Sequence, residues 1–166
     1  YKWVTNAANY EHHNWYGFGN VDANAAVEAA KNYTAGQLGT FVDTEVSSNQ
    51  IDRVLSDWSL HEDTLSVTAP SGSSNVVEFI KIRIWLYHEA PIGIGLRLMS
   101  PAGTEIPIHT PFTAATVNPY QSYGESGYVP FDIGVSGFYG EGMTGTWTLK
   151  TDDLKQDNIG GILAQW

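Results

Sequence analysis

From Ile80 to Leu86 the chain alternates with a period of two. Ile80, Ile82, Ile84 and Leu86 fall on one face, and Lys81 and Arg83 on the other. Successive side chains of a strand point to opposite faces, so this pattern predicts a strand with one face buried. The same alternation returns in Ile94, Leu96 and Leu98 against Gly95, Arg97 and Met99, and in Ile106 and Ile108. It returns again in Val129, Phe131, Ile133 and Val135 against Pro130, Asp132 and Gly134, and in Trp147 and Leu149 against Thr148 and Lys150. Upstream, Leu65 and Val67 mark one further strand, and Phe41, Val42 and Val46 the first. Roughly eight short strands separated by Gly, Pro, Asn and Ser predict an all-β fold, a jelly-roll-like β-sandwich. The longest stretch without strand character, Thr110 to Gly127, reads as a functional or mobile loop.

Before Tyr33 the period is different. Val21, Ala25 and Ala29, with Val27 and Ala30, recur at helical spacing, and Asp22 is placed to cap the helix start. The helix is expected to end near Asn32, ahead of Ala35-Gly36. Its apolar face is made of small residues, suited to close packing on something flat, and the later sequence supplies no obvious surface for it. The boundary between the helical and β regions therefore falls between Tyr33 and Gly39, giving segments 1–34 and 38–166.

Composition narrows the function. Apolar residues make up 42% of the chain, enough for a buried core. Net charge is −10, from 8 Lys+Arg against 18 Asp+Glu, so a phosphate backbone would be repelled and nucleic-acid binding is not expected. No run of about 18 apolar residues occurs, so no membrane span is expected. The absence of cysteine excludes disulfides, thiolate catalysis and cysteine-ligated zinc.

The candidate chemistry is sparse. Gly124-Glu125-Ser126-Gly127 has the outline of a serine nucleophile loop but lacks its following Gly and an upstream His in context, so a polar loop is the better reading. His12 and His13 are adjacent and would point apart. His61-Glu62-Asp63 lacks the second His of a zinc helix. His88 shares the strand phase of Ile80 to Leu86 and reads as a core-edge histidine bonded to a neighbouring strand or loop, and His109 as exposed. Asp152, Asp153 and Asp157, with Glu141 before them, are hard oxygen ligands of the kind calcium takes. They do not follow an EF-hand spacing, and a solvated acidic loop is the competing reading. Trp85 and Trp147 lie within strand patterns, whereas Tyr120, Tyr123 and Tyr128 are better placed as an exposed contact surface for carbohydrate. The sequon Asn32-Tyr33-Thr34 is read as chance.

Several motifs occur together and in order. They are Val77-Glu78 in a strand ending at His88, then Ser100-Pro101-Ala102-Gly103-Thr104, Tyr139-Gly140-Glu141, Gly145-Thr146-Trp147-Thr148-Leu149 and Asp152. This set resembles the P domain, or Homo B domain, of kexin-like, subtilisin-type secreted serine proteases. Upstream, Asn6-Ala7-Ala8, His13, Tyr16-Gly17-Phe18-Gly19 and Val21-Asp22-Ala23 resemble the end of the protease domain itself. The chain departs from the family at Tyr139, where a Trp is usual, and at Ile92-Gly93-Ile94, where an acidic residue is usual. It also ends at Trp166, so either a shortened final edge strand or a sheet closed differently is expected.

The resemblance implies that 1–34 is the C-terminal remnant of a protease domain and 38–166 the P domain. It implies a non-catalytic function, since no Asp, His and Ser of a protease site occur in matching motifs here. That function is to stabilise or help fold the catalytic domain of the same parent protease and to shape substrate access. Tyr16, Phe18, Val21, Ala25 and Ala29 would face that domain, calcium would be the cofactor if one binds, and the location would be secreted. A free-standing binding module for carbohydrate or a protein substrate is the alternative. Self-association through the N-terminal segment is a further way to cover the alanine face.

Overall fold

The computed structural model describes residues 2–37, 42–88, 90–112 and 130–166. Loop residues Tyr120, Tyr123, Ser126 and Tyr128, together with Phe41, lie outside them. A two-stranded ribbon opens the chain, β1 (Val4–Thr5) and β2 (Glu11–His12), followed by α1 (Ala23–Lys31). The remaining strands are β3 (Arg53–Leu55), β4 (Leu60–Val67), β5 (Ile80–His88), β6 (Ile94–Met99), β7 (Glu105–His109), β8 (Phe131–Val135), β9 (Gly145–Asp153) and β10 (Gly161–Gln165). They form two antiparallel sheets, ordered β3-β10-β5-β8 and β4-β9-β6-β7.

The alternation decides what lies between the sheets. Ile82, Ile84 and Leu86 of β5, with Leu55 and Leu163 of the same sheet, are buried against Leu96 and Leu98 of β6, Ile106 of β7 and Trp147 and Leu149 of β9. Lys81 and Arg83 on the outer face reach Asp132 of β8, and Arg83 is bidentate to it at 2.6 and 2.9 Å. That pairing holds Asp132 down at about 2. Phe138, in the β8–β9 loop, closes one end of the core edge-on to Trp147 at 5.0 Å, and the Trp147 indole N–H donates to Met143 O.

Three expectations are corrected. Val42 and Val46 are exposed and belong to no strand; the sandwich begins at Arg53. Position in the fold explains this: the chain first meets the β10 end at Ser48, whose N–H donates to Trp166 O, and regular strand pairing starts at Arg53. The last strand, β10, is not an edge: it sits between β3 and β5. His109 is half-buried rather than exposed, and burial pushes its imidazole below the ordinary histidine range.

The loops fall into two groups. β3–β4, β5–β6 and β9–β10 lie at one end, where Trp58 N–H meets Asp153 O and Leu154 N–H meets Gly93 O. β4–β5, β6–β7 and β8–β9 lie at the other, where Val77 N–H meets Glu141 O and Asn75 O takes the Met143 N–H.

Leu149 is fully buried at the centre of β9, so Leu149→Ala should cost about 3 kcal/mol through lost transfer energy and a residual cavity. Thermal unfolding should show this as a fall of roughly 10 °C. Val54 is 66% exposed, and Val54→Ala should stay within about 0.5 kcal/mol.

Candidate functional site: the N-terminal segment and its seat on the sandwich

The N-terminal segment divides into two unlike parts. Residues 3–18 are seated on the second loop end, whereas every residue of α1 is exposed. Asn6 is the anchor, 3% exposed although it is polar. Its Nδ2 donates to Gly137 O at 3.0 Å and Tyr139 O at 2.9 Å, across the gap to the β8–β9 loop. Its Oδ1 accepts from Ala8 N and Tyr10 N, closing the turn between β1 and β2. Burying an amide is tolerable only when its donors and acceptors are paired, and here both are.

Next to it, Ala7 N–H lies 2.9 Å from Glu141 Oε1 and 3.1 Å from Thr104 Oγ1, and the Thr104 hydroxyl donates to the same Glu141 oxygen at 2.5 Å. Glu141 thus ties the N-terminal segment to the Ser100–Thr104 turn, while its backbone carbonyl holds Val77. The resemblance-bearing motifs Val77-Glu78, Ser100 to Thr104 and Tyr139-Gly140-Glu141 meet at this one place. Gly140 belongs here for two reasons. Its φ is +86°, and a Cβ would stand 2.8 Å from the Tyr10 ring and 2.9 Å from Ala8.

Aromatic rings cover the joint. Tyr10 lies edge-on to Tyr139 at 5.3 Å, and Phe18 sits 5.9 Å from Tyr139 and 5.2 Å from His12. A second group, Trp3, His13 and Tyr16, stacks outward from it. His12 is buried beneath Phe18 with Nε2 3.3 Å from Ser136 Oγ, and burial followed by the neighbouring His13 pushes it below the ordinary histidine range. Asn14 reaches across to donate to Pro107 O on β7, the edge strand of its sheet.

The helix was legible in the sequence: Asp22 Oδ1 accepts Ala25 N at 2.9 Å, and Asn32 caps the end. No residue of α1 is buried. Of the residues expected to face a protease domain, Tyr16, Phe18, Val21, Ala25 and Ala29 are all exposed except Tyr16's neighbour-sharing edge on His13 and the Phe18 face turned to Tyr10 and Tyr139. Val21 is 87% exposed.

The four carboxylates offered for calcium are not brought together. Asp152 is bidentate to Arg97 at 2.7 and 3.0 Å. Asp153 is fully buried with His88; Ala90 N–H donates to His88 Nδ1, so the proton is on Nε2 and points at Asp153 Oδ2, 3.1 Å away. His88 is thus the loop-bonded core histidine that its strand phase suggested. Asp157 takes the Lys155 ammonium at 2.8 Å, which holds it below the usual carboxylate range. Glu141 lies at the other end of the sandwich. Among the described residues no three acidic or histidine side chains gather as a metal site, so these four do not fit one shared calcium ion. What the sequence did not reveal is Asn6: an Asn in a short loop carries no pattern that marks it as buried.

The architecture is that of a two-sheet antiparallel sandwich with an N-terminal strap. The model of the proprotein convertase P-domain matches residues 77–166, and the chain belongs to that family, a non-catalytic accessory domain of subtilisin-like proteases. It is similar to proprotein convertase subtilisin/kexin type 5 of Rattus norvegicus, 26% identical over 175 residues that take in 99% of this chain and 9% of that protein. It is also similar to furin of Mus musculus, 26% identical over 169 residues, 99% of this chain and 20% of that one. The chain therefore spans a fifth or less of these relatives. The serine protease of Aeromonas sobria, solved in complex with a chaperone, shares the fold at a TM-score of 0.73 and 22% identity over 99% of this chain and 32% of its own.

Asn6→Ala should cost about 2–3 kcal/mol, because it strips bonding partners from Gly137, Tyr139, Ala8 and Tyr10 at a dry site. Asn6→Asp should cost at least as much, since it sets an oxygen against two carbonyls. Chemical denaturation checks both. The depressed His12 sets a pH dependence of definite sign. The unfolded chain takes up the proton first, so stability is whole above about pH 6.5 and falls as the pH drops below it. Amide exchange of residues 4–13 at pH 7.5 and pH 5 should show protection lost on acidification, and His12→Phe should flatten the change.

Proposed function

We propose that this chain is the P domain of a secreted subtilisin-like serine protease, joined to the last part of the protease domain, and that it stabilises that domain by gripping its end. The observation that carries this reading is the contrast within residues 3–31. One half is bolted to the sandwich through Asn6, Ala7 and Glu141. The other is a capped helix whose every residue is exposed. A helix of this length is marginal alone in water, so its apolar face needs a partner. The catalytic domain is that partner: the stretch matched here takes in only 9%, 20% and 32% of the relatives' chains, which are named as convertases and proteases. Val21, Ala25 and Ala29 lie against it, and Tyr16 and Phe18 join that surface to the sandwich.

The grip is thermodynamic. Burial of apolar surface is worth about 25 cal/mol per Å² before entropic costs, and the clamp at Asn6 makes that burial intramolecular. The strand orders β3-β10-β5-β8 and β4-β9-β6-β7, in which consecutive strands mostly change sheets, support a jelly-roll connectivity for the domain.

The test joins this chain in frame behind the catalytic domain of its parent protease and follows inactivation at raised temperature. Val21→Asp with Ala25→Glu should shorten the activity half-life by at least tenfold, while the isolated chain melts unchanged. Equal half-lives would refute the interface. In the isolated chain α1 should exchange its amides freely; protection that grows with concentration would instead assign the face to a second copy.

A further inference from the structure

At the loop end opposite the strap, exposed apolar side chains follow one another along a row of backbone hydrogen bonds. Trp58 N–H donates to Asp153 O at 2.7 Å, Leu154 N–H to Gly93 O at 3.0 Å, and Phe112 N–H to Ile92 O at 2.7 Å. Trp58 is 65% exposed and Phe112 58%, with Ile92 and Leu154 exposed between them.

Trp58 and Phe112 are also held at φ of +56° and +58°. That region is unfavourable for bulky side chains and open to glycine, and neither ring is compensated by burial. Folding alone therefore does not account for an aromatic at these positions, and strain of this kind tends to collect at binding sites. The backbone under both rings is tied down, at Phe112 by its bond to Ile92 O. Ser59 N–H closes the turn onto Ser56 O at 3.1 Å, and Asp57 Oδ2 beside Trp58 accepts from Asp157 N and Asn158 N at 2.8 Å each.

We propose that this row binds a neutral polysaccharide, whose sugar C–H faces stack on Trp58 and Phe112. The negative face of an aromatic ring attracts the C–H hydrogens of a pyranose, and a fixed backbone beneath each ring lowers the ordering cost of binding. Size favours a sugar over a protein: the four side chains Trp58, Ile92, Phe112 and Leu154 are far fewer than the roughly 20–30 residues a side of a stable protein interface, but they match a ligand one ring wide. Charge selects a neutral one. Lys155, the cation in the adjoining loop, is already held by Asp157, and a net charge of −10 repels polyanions. The site lies at the opposite end from the strap, so its failure leaves the protease-domain reading untouched, and the reverse also holds.

Affinity electrophoresis of the chain in gels containing hydroxyethyl cellulose or glycol chitin, with tryptophan-emission titration by cellohexaose and chitohexaose, tests the site. At least one polymer should retard the protein. Trp58→Ala should weaken retardation tenfold or more, and Trp15→Ala, at the strap end, should leave it unchanged. Trp58→Gly separates binding from folding: it should keep or raise the melting temperature while abolishing retardation. The proposal falls if neither polymer retards the protein, or if Trp58→Ala is retarded like wild type. It also falls if Trp58→Gly melts several degrees lower, or if Trp58→Ala instead abolishes a dimer.

Discussion

A sheet can bury an apolar face only against another layer, and here the period-two alternation leaves each sheet just one apolar face. β5 sends Ile82, Ile84 and Leu86 inward and Lys81 and Arg83 outward; β9 sends Trp147 and Leu149 inward while Lys150 meets Glu62 and Glu105 outside. Two such sheets have one stable arrangement, face to face, with the charged rows paired on the two outer faces. The rest of the molecule is a consequence of closing the two ends of that sandwich without leaving backbone groups dry and unpaired.

The two ends solve this problem differently. At one, the buried His88–Asp153 pair and the backbone row from Trp58 to Phe112 knit the loops to each other. At the other, the loops are completed by chain from outside the sandwich, with Asn6 supplying donors to Gly137 and Tyr139 and Glu141 receiving Ala7 and Thr104. Such a joint is polar, and at Asn6 both the amide nitrogen and the amide oxygen are paired, so it fixes geometry more than it adds energy. A buried amide with every partner in place tolerates no slip of register. That rigidity ends at the joint: α1 leads away from it with every one of its residues exposed.

The strands were legible because alternation is local. β5, β6, β7, β8 and β9 could each be placed from their own residues, and α1 from Asp22 and its alanines. The motifs of the family were legible as words in order. What they do became visible only on folding, when Val77, Thr104, Gly140 and Glu141, scattered over the chain, proved to be the seat of residues 6–10. The acidic run at Asp152, Asp153 and Asp157 misled for the same reason in reverse. Neighbours in sequence, they alternate or turn away in space, and Arg97, His88 and Lys155 take them one each.

By itself, then, the sequence determined the class of fold, the capped helix and the family, since each rests on interactions within a few residues or on the order of motifs. Tertiary structure alone decided that β10 is interior, that Asn6 is a buried clamp, that the carboxylates are separately paired, and that Trp58 and Phe112 share one exposed row. These depend on which distant segments become neighbours, and desolvation and hydrogen-bond pairing act only once those neighbours are in place.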